Sequence, residues 1–390
     1  MKHKRVKVIL LFFFLVINLN AEFFTSSEWG YSLDLPEGFA LFENKEDSRF
    51  LLKNNVANVE LQIFLDSDDS LKNTARISKK IFKQLNAEHK DIDFLWCGKP
   101  AMLSTLSFHS GNYGGVRRIY SGWLLILKLD RGWITLVTYV PELKSKEFEP
   151  MMISILDSVF TGGQSYYSPG PVTSALYPKT GSIKVKQKFN GRDISFFYDK
   201  SDMEANQSVV DREFQLLTMY IGTDMAIEAW KRYYRNIYRD AWRRLESLSF
   251  SLKAFLSLGE SISDSFSIAS KLLTHLQNFT YLRNPAGSDF INLPECYIKS
   301  TGDCDARSVL MCVILQQMGI DCVLAVSPEF SHAMAAINCK GTGAVFSYSG
   351  KKYLVAETTA KIKLGQIASD LADPSKWFIT EFYGLPVNDK

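Results

Sequence analysis

Apolar residues recur along the chain at two periods, and the switch between them marks out its elements. Period two runs through "YSLDLPEGF", where Tyr31, Leu33 and Leu35 alternate with polar neighbours, and through "VELQIFL", with Val59, Leu61, Ile63 and Leu65. Both predict half-buried strands. Between residues 71 and 85 the period changes, and Ile77, Ile81 and Leu85 fall at helical spacing. Strands are then predicted at 94–108, 117–129 and 133–140, the last two joined by "DRG", whose Gly132 suits a hairpin turn. A helix over 145–160 presents Phe148, Met152, Ile155 and Val159 on one side. Helix, antiparallel sheet, helix is the layered outcome for 24–160.

Residues 161–182, "TGGQSYYSPGPVTSALYPKTGS", gather Gly, Ser, Pro and Tyr without a period and read as an interdomain linker. Two alternating runs about Asn190-Gly191 then predict a hairpin, followed by helices from about 204 to 256, so that 183–256 is a hairpin plus a helical segment. In "WKRYYRNIYRDAWRRL" the residues Arg232, Arg235, Arg239 and Arg243 lie along one side of a helix and Trp230, Tyr234, Ile237, Ala241 and Leu245 along another. A basic, aromatic helix is compatible with nucleic acid or a membrane surface. The plainer reading has these arginines solvated or paired with Asp211, Glu213, Glu228 or Asp240. From 257 to 386 the pattern defines a last unit. "IASKLLTHLQNFTYLRN" is helical through Ile268, Leu272, Leu276 and Phe279 and runs into a loop at "NPAGSD". In "STGDCDARSVLMCVILQQMG" Asp303 is placed to cap a helix whose stripe is Leu310, Val313, Ile314 and Met318, and Gly319 stops it. Strands are predicted at "DCVLAVS", "SHAMAAIN", "GAVFSYS" and "KYLVAETT". The whole is α+β.

The N-terminus changes where such a protein is expected to work. Lys2, Lys4, Arg5 and Lys7 precede an apolar run over 8–17 and small or polar residues ending at Ala21. This predicts a signal peptide over 1–21 and an exported protein, periplasmic or secreted. The run is about half the ~20 residues of a spanning helix, which leaves an uncleaved anchor as the alternative and no membrane insertion after cleavage. A net charge of +3 with mixed signs does not make nucleic acid the expected partner. Cys97, Cys296, Cys304, Cys312, Cys322 and Cys339 are too sparse for a disulfide scaffold, and without CxxC pairs they do not suggest structural zinc. Their pairing stays open.

Among them Cys304 is set apart by position. A thiol in a first helical turn meets unsatisfied N–H groups and the positive end of the helix dipole, which favour thiolate. Acyl transfer needs a proton acceptor held in orientation, and His332 and Glu357 fit those roles. Alternation puts His332, Met334 and Ala336 on one face of a strand, and Tyr353, Val355 and Glu357 on one face of another. Two such strands in one sheet against the Cys304 helix bring His332 and Glu357 together on the side facing the thiol. Asp303 and Asp305 are too few for calcium, and a cap plus a surface residue is the plainer reading. Cys312 and Cys322 read as structural. His89 and His109 lack a partner pattern.

Two resemblances follow. "GDCDARSVLMCVILQQMGIDCVLAV", "HAMAAI" and "YLVAETT" resemble the transglutaminase-like superfamily, papain-related in its core and including bacterial transglutaminase-like cysteine proteinases. This implies a helix packed on an antiparallel sheet, with Cys304 as nucleophile, His332 as general base and acid, and Glu357 orienting the imidazole. The implied substrate is a peptide or glutamine carboxamide, in an envelope protein or peptide, with no metal or organic cofactor. Glu357 departs from the family's more usual aspartate, and no tryptophan follows His332 where many members carry one. The Cys304 N–H is the natural oxyanion donor, with Tyr297 as a further candidate. Hydrolysis is the expected outcome; an amine-accepting crosslinker and an inactive binding protein of the same fold are the alternatives. Residues 24–160 resemble PsbP-like α/β/α sandwich domains in "YSLDLPEGF", "WCGKPA" and "ILDSVF", which implies a non-catalytic unit.

Overall fold

The structure is a computed structural model that describes residues 23–67, 73–113, 116–256, 264–283 and 288–382. The predicted signal peptide and part of the "NPAGSD" loop lie outside the described residues. Seven strands, β1 (Phe39–Lys45), β2 (Arg49–Asn54), β3 (Glu60–Asp66), β4 (Glu88–Trp96), β5 (Lys99–Tyr113), β6 (Val116–Leu129) and β7 (Gly132–Pro141), form one antiparallel sheet. Their order is β1-β2-β3-β7-β6-β5-β4. Period-two patterning gives the sheet two apolar faces. Met102, Leu106, Leu124 and Ile126 pack with Ile77 and Phe82 of α1 (Thr74–Leu85). Leu103, Leu125, Leu127 and Leu136 belong to the same buried cluster as Met151, Met152 and Ile155 of α2 (Ser145–Asp157) on the other face.

The stretch read as a linker is mostly packed. It forms two short helices, Gly163–Tyr166 and Pro171–Leu176, and buries Tyr166 and Val172. Its composition lacks a period because each helix is about one turn, too short to show one. The predicted hairpin is present as β8 (Ser182–Phe189) and β9 (Arg192–Asp199), with Asn190 and Gly191 at φ 47° and 82°. Two positive φ angles in a two-residue loop are the type I′ signature that Asn-Gly favours. Helices α3 (Asp202–Tyr220), α4 (Ala226–Arg244), α5 (Glu246–Leu256) and α6 (Ser265–Leu276) follow.

Arginine-rich α4 turns its charge inward. Arg235 makes a two-pronged contact with the Asp34 carboxylate at 2.9 and 3.0 Å. Arg232 reaches Glu213 at 2.6 Å, Ser154 Oγ at 2.8 Å and the Asp34 carbonyl at 2.9 Å. Arg239 donates to the carbonyls of Tyr166 and Ser158 and lies over the rings of Phe160 and Tyr166. Burial opposes the charge of Asp34, but Arg235 and Arg232 outweigh it and hold the carboxyl below its ordinary range. Of the predicted partners Glu213 alone, among the described residues, takes one of these arginines; Arg232, Arg235 and Arg239 otherwise reach across to the first 170 residues, and exposed Arg243 lies near Glu246. A guanidinium with a fork-shaped donor set is suited to such desolvated pairing.

The last unit contains α7 (Leu293–Lys299), α8 (Cys304–Gln317), β10 (Cys322–Ser327), β11 (His332–Ile337), β12 (Val345–Tyr348), β13 (Lys351–Ala356) and β14 (Phe378–Thr380). The five strands are antiparallel in the order β12-β13-β11-β10-β14. Helix α8 is buried nearly all round, from Ala306 to Gln316. It is a core helix with no polar face, so a single stripe understates its packing. Among the described residues no helix is long and apolar enough to cross a membrane.

Candidate active site

Asp303 caps α8 by accepting the Ala306 N–H at 2.8 Å, which fixes Cys304 as the first helical residue. Cys304 is 3% exposed. The face of the sheet that meets α8 is built from small and aliphatic residues, Ala333, Ala335, Leu354 and Ala356, and the small ones let the helix approach closely. Ser308 donates to the Ala333 carbonyl at 3.3 Å, one turn beyond Cys304, and the Ala333 N–H reaches the Cys304 sulfur. The thiol therefore sits against the backbone at the start of β11.

His332 opens that strand, and its Nε2 lies 2.6 Å from Glu357 Oε2. The pairing Ala335↔Ala356 carries Glu357 opposite Met334, so the two side chains share a face as the alternation predicts. That face does not look at α8. It belongs to Met334, Ala336, Tyr353 and Val355, which pack with Trp377. The alternate residues are the ones that meet the helix, so His332 and Cys304 flank the first residues of β11 from different sides. Trp377 stands edge-on to the imidazole at 6.2 Å. The sequence offers no tryptophan close after His332, but the fold brings one from the loop before β14, a contact that spacing alone does not reveal.

Glu357 is supported on every side. Its Oε1 accepts the Thr359 N–H at 2.7 Å and the Thr359 hydroxyl at 2.6 Å. Gln277, the residue that closes α6, holds its carbonyl at 2.9 Å, and Thr358 is tied to α8 through Ser308 at 3.2 Å and Arg307 at 3.3 Å. Burial disfavours the Glu357 charge, but His332 and Thr359 more than offset it and hold the carboxyl below its usual value. With Nε2 engaged, Nδ1 is the ring nitrogen left to exchange a proton.

The thiol has a different partner from the one expected. Cys304 Sγ donates to Asp305 Oδ1 at 3.1 Å, and among the described residues no hydrogen bond joins it to His332. Asp305 Oδ2 in turn accepts the Tyr234 hydroxyl of α4 at 2.5 Å. Asp305 is thus a half-buried, doubly engaged carboxylate, where the sequence suggested a surface residue. Burial pushes the Cys304 thiol well above its ordinary value, and Asp305 and Asp303 push it further. The helix N-terminus, expected to favour thiolate, is outweighed first by burial and then by the two aspartates that share that end with the sulfur. Burial, helped by the neighbouring Asp305, also raises Asp303 above the ordinary carboxyl range, and burial raises Asp305 too, against the bonds it accepts from Tyr234 and Cys304.

Other expectations fall away from the site. Tyr297 is fully buried among Phe196, His275 and Phe279, where its hydroxyl finds no partner among the described residues. It is a core ring and has no oxyanion geometry. All six cysteines are free thiols. Cys312 and Cys322 lie between α8 and β10, where Cys322 Sγ donates to the Cys312 carbonyl at 3.5 Å and Cys312 Sγ to the Val323 carbonyl at 3.6 Å. Buried Arg307 donates to the Gly302 carbonyl at 2.9 Å and orders the turn into α8.

No known protein family matches the chain. No curated protein matches it either. Solved structures give partial overlaps. The PsbP protein CyanoP of Synechocystis sp. PCC 6803 is 11% identical, with a TM-score of 0.29 over 37% of this chain and 95% of that one. The Ran-binding protein Mog1p of Saccharomyces cerevisiae is 11% identical, with a TM-score of 0.26 over 35% of this chain and 92% of that one. A Bacteroides thetaiotaomicron protein is 13% identical, with a TM-score of 0.25 over 58% and 78% of the respective chains. At these TM-scores none carries an argument about fold or function.

Proposed function

We propose that the chain is an exported thiol hydrolase of the transglutaminase-like kind, in which residues 257–386 carry the chemistry and 24–160, a PsbP-like sandwich, serve as a non-catalytic companion. Cys304 attacks the carbonyl of a peptide or glutamine carboxamide and forms a thioester. The thiol proton passes to the imidazole of His332, which gives it to the leaving amine. Water then resolves the thioester, its proton returning through His332 to the sulfur. Glu357 holds the ring in the tautomer that presents Nδ1 and balances the imidazolium. The Cys304 N–H at the start of α8 serves as a backbone donor to the developing oxyanion.

The observation that supports this reading most is the 2.6 Å His332–Glu357 pair, braced by Thr359, beside the N-terminus of the buried helix that bears Cys304. The bond from Cys304 to Asp305 favours one rival, a fold of this kind kept for binding with its thiol idle. Labelling with a thiol-directed fluoromethyl-ketone peptide probe separates them. Turnover predicts labelling at Cys304 that is lost in His332→Ala and weakened in Glu357→Ala. Labelling indifferent to both variants defeats the hydrolase reading. Incorporation of a labelled primary amine into protein, lost in Cys304→Ala, would mark amine transfer in place of hydrolysis.

A further inference from the structure

We propose that Asp305 and Tyr234 form a clamp that holds Cys304 as an unreactive thiol at rest, and that Asp305 must turn away from the sulfur before Cys304 can act. The inference rests on reading Cys304 as the nucleophile. Both oxygens of Asp305 are committed: Oδ1 accepts the thiol at 3.1 Å and Oδ2 accepts the Tyr234 hydroxyl at 2.5 Å. A carboxylate with one oxygen pinned by a tyrosine has one oxygen left to accept the S–H, and it does so from a neighbouring position on the same helical turn.

Tyr234 cannot easily let go. Its ring is fully buried, stacked at 5.7 Å on Trp230 and edge-on to Tyr233 at 4.9 Å. Helix α4 is fixed in turn, since the adjacent Arg235 grips Asp34. The clamp is thereby tied to Asp34, in the stretch before β1.

The charges around the sulfur reinforce the same state. Asp303 from the helix cap and Asp289 from the loop before α7 are both acidic neighbours of Asp305 or Cys304. From α4, Tyr233 bonds Ser288 and remains neutral at ordinary pH. The guanidinium groups in range are Arg307 of α8, which acts on both Asp303 and Cys304, and Arg283, which is turned toward Tyr281 and Asp289; His332 on β11 acts on Asp305 when it carries a proton. A thiolate formed in place would give up the hydrogen bond to Oδ1 and face a carboxylate at contact distance, with few compensating donors besides the Ala333 N–H. Rotation of Asp305, or its neutralisation by a substrate group that donates to Oδ1, removes both obstacles and leaves the sulfur to His332.

The test is alkylation of Cys304 by iodoacetamide in the full chain, followed by peptide mass spectrometry across neutral and alkaline pH. Lowering a thiol pKa by one unit raises its thiolate fraction about tenfold, and reduced nucleophilicity takes back about threefold, so a net gain of roughly threefold per unit is expected. Asp305→Asn should therefore alkylate at least about threefold faster at neutral pH, with its pH midpoint moved down by about a unit or more. Tyr234→Phe, which frees Asp305 to swing, should move both readouts the same way by less, and it serves if Asp305→Asn fails to fold. An unchanged or slower rate, with an unmoved midpoint, overturns the clamp. His332→Ala separates the two readings. Faster alkylation in Asp305→Asn beside an indifferent His332→Ala keeps the clamp and removes the catalytic triad. The converse pattern keeps the triad and removes the clamp.

Discussion

Replacing Arg232 by methionine tests whether α4 is held to the rest of the chain by buried charge. Methionine keeps the apolar stem and removes three donors, those to Glu213, Ser154 and the Asp34 carbonyl. The side chains of Arg232 and Glu213 are 3% and 1% exposed, so water cannot replace the lost partner. Breaking a buried ion pair from one side commonly costs about 3–5 kcal/mol, because the other charge is left desolvated. Glu213 retains Arg212 at 2.9 Å and Asn236 at 3.3 Å, which places the expected loss near the lower end, about 3 kcal/mol. Arg243 supplies the internal control. It sits on the same helix, but its side chain is 44% exposed and its carboxylate partner Glu246 lies at 3.7 Å, so Arg243→Met should cost no more than about 1 kcal/mol. Urea unfolding followed by tryptophan fluorescence reads the difference as a lower midpoint at unchanged slope. The double variant Glu213→Gln/Arg232→Met should lose less than the sum of the singles by about 1 kcal/mol or more. Equal, small losses from Arg232→Met and Arg243→Met would refute the reasoning.

Three further outcomes follow from the site and the hairpin. Glu357 has a folded pKa below its ordinary 4.5, so its stabilisation is complete above that value and is lost as pH falls through the folded one. Glu357→Gln should therefore flatten the acid limb of stability against pH, measured by denaturant unfolding at a series of acidic pH values; an unchanged limb would remove Glu357 as a charged brace. Tyr297→Phe removes a buried hydroxyl without a partner among the described residues and should leave stability unchanged or raise it by up to about 1 kcal/mol, with Cys304 alkylation unaltered; slower thiol chemistry would return Tyr297 to the site. Gly191→Ala at φ 82° should cost about 1 kcal/mol by thermal unfolding, because the type I′ turn forces a left-handed angle on a Cβ.

What the sequence made legible is what local pattern encodes. Asn190-Gly191 specified its hairpin, Asp303 its cap, and the apolar runs β3, β6 and β7 of the large sheet, because each depends on neighbours within a few residues; the strand expected over 94–108 is instead the end of β4 and most of β5 about a turn at Cys97-Gly98, and β1 and β2 were not expected. Alternation also brought His332 and Glu357 to one face without any knowledge of the sheet. The expectation that this face looks toward the Cys304 helix does not hold, since the face that meets α8 is set by which residues are small enough to admit the helix, here Ala333 and Ala335. Arg232 and Arg235 were recognisable as one stripe, but Asp34 stands 198 and 201 positions before them, beyond any helical spacing. Trp377 and Tyr234 join the site from distant segments, and Asp305 changes meaning only once Tyr234 is seen against it. Residues 161–182 misled because burial there is imposed by partners and not by period.

The grip of α4 on Asp34 and on the residues around Ser158 and Tyr166 bears on how such a chain responds to proteolysis. Lys179 is exposed at the end of the packed junction, so a trypsin-like enzyme has access to a cut there. Clipping would sever the backbone and little else. Arg235 would still hold Asp34, Arg239 would still reach back to Ser158, and Tyr166 would still donate to the Phe382 carbonyl. The nicked halves would travel as one particle with the thiol still pinned, so activation of a zymogen by release of its leading half is a poor fit to this molecule.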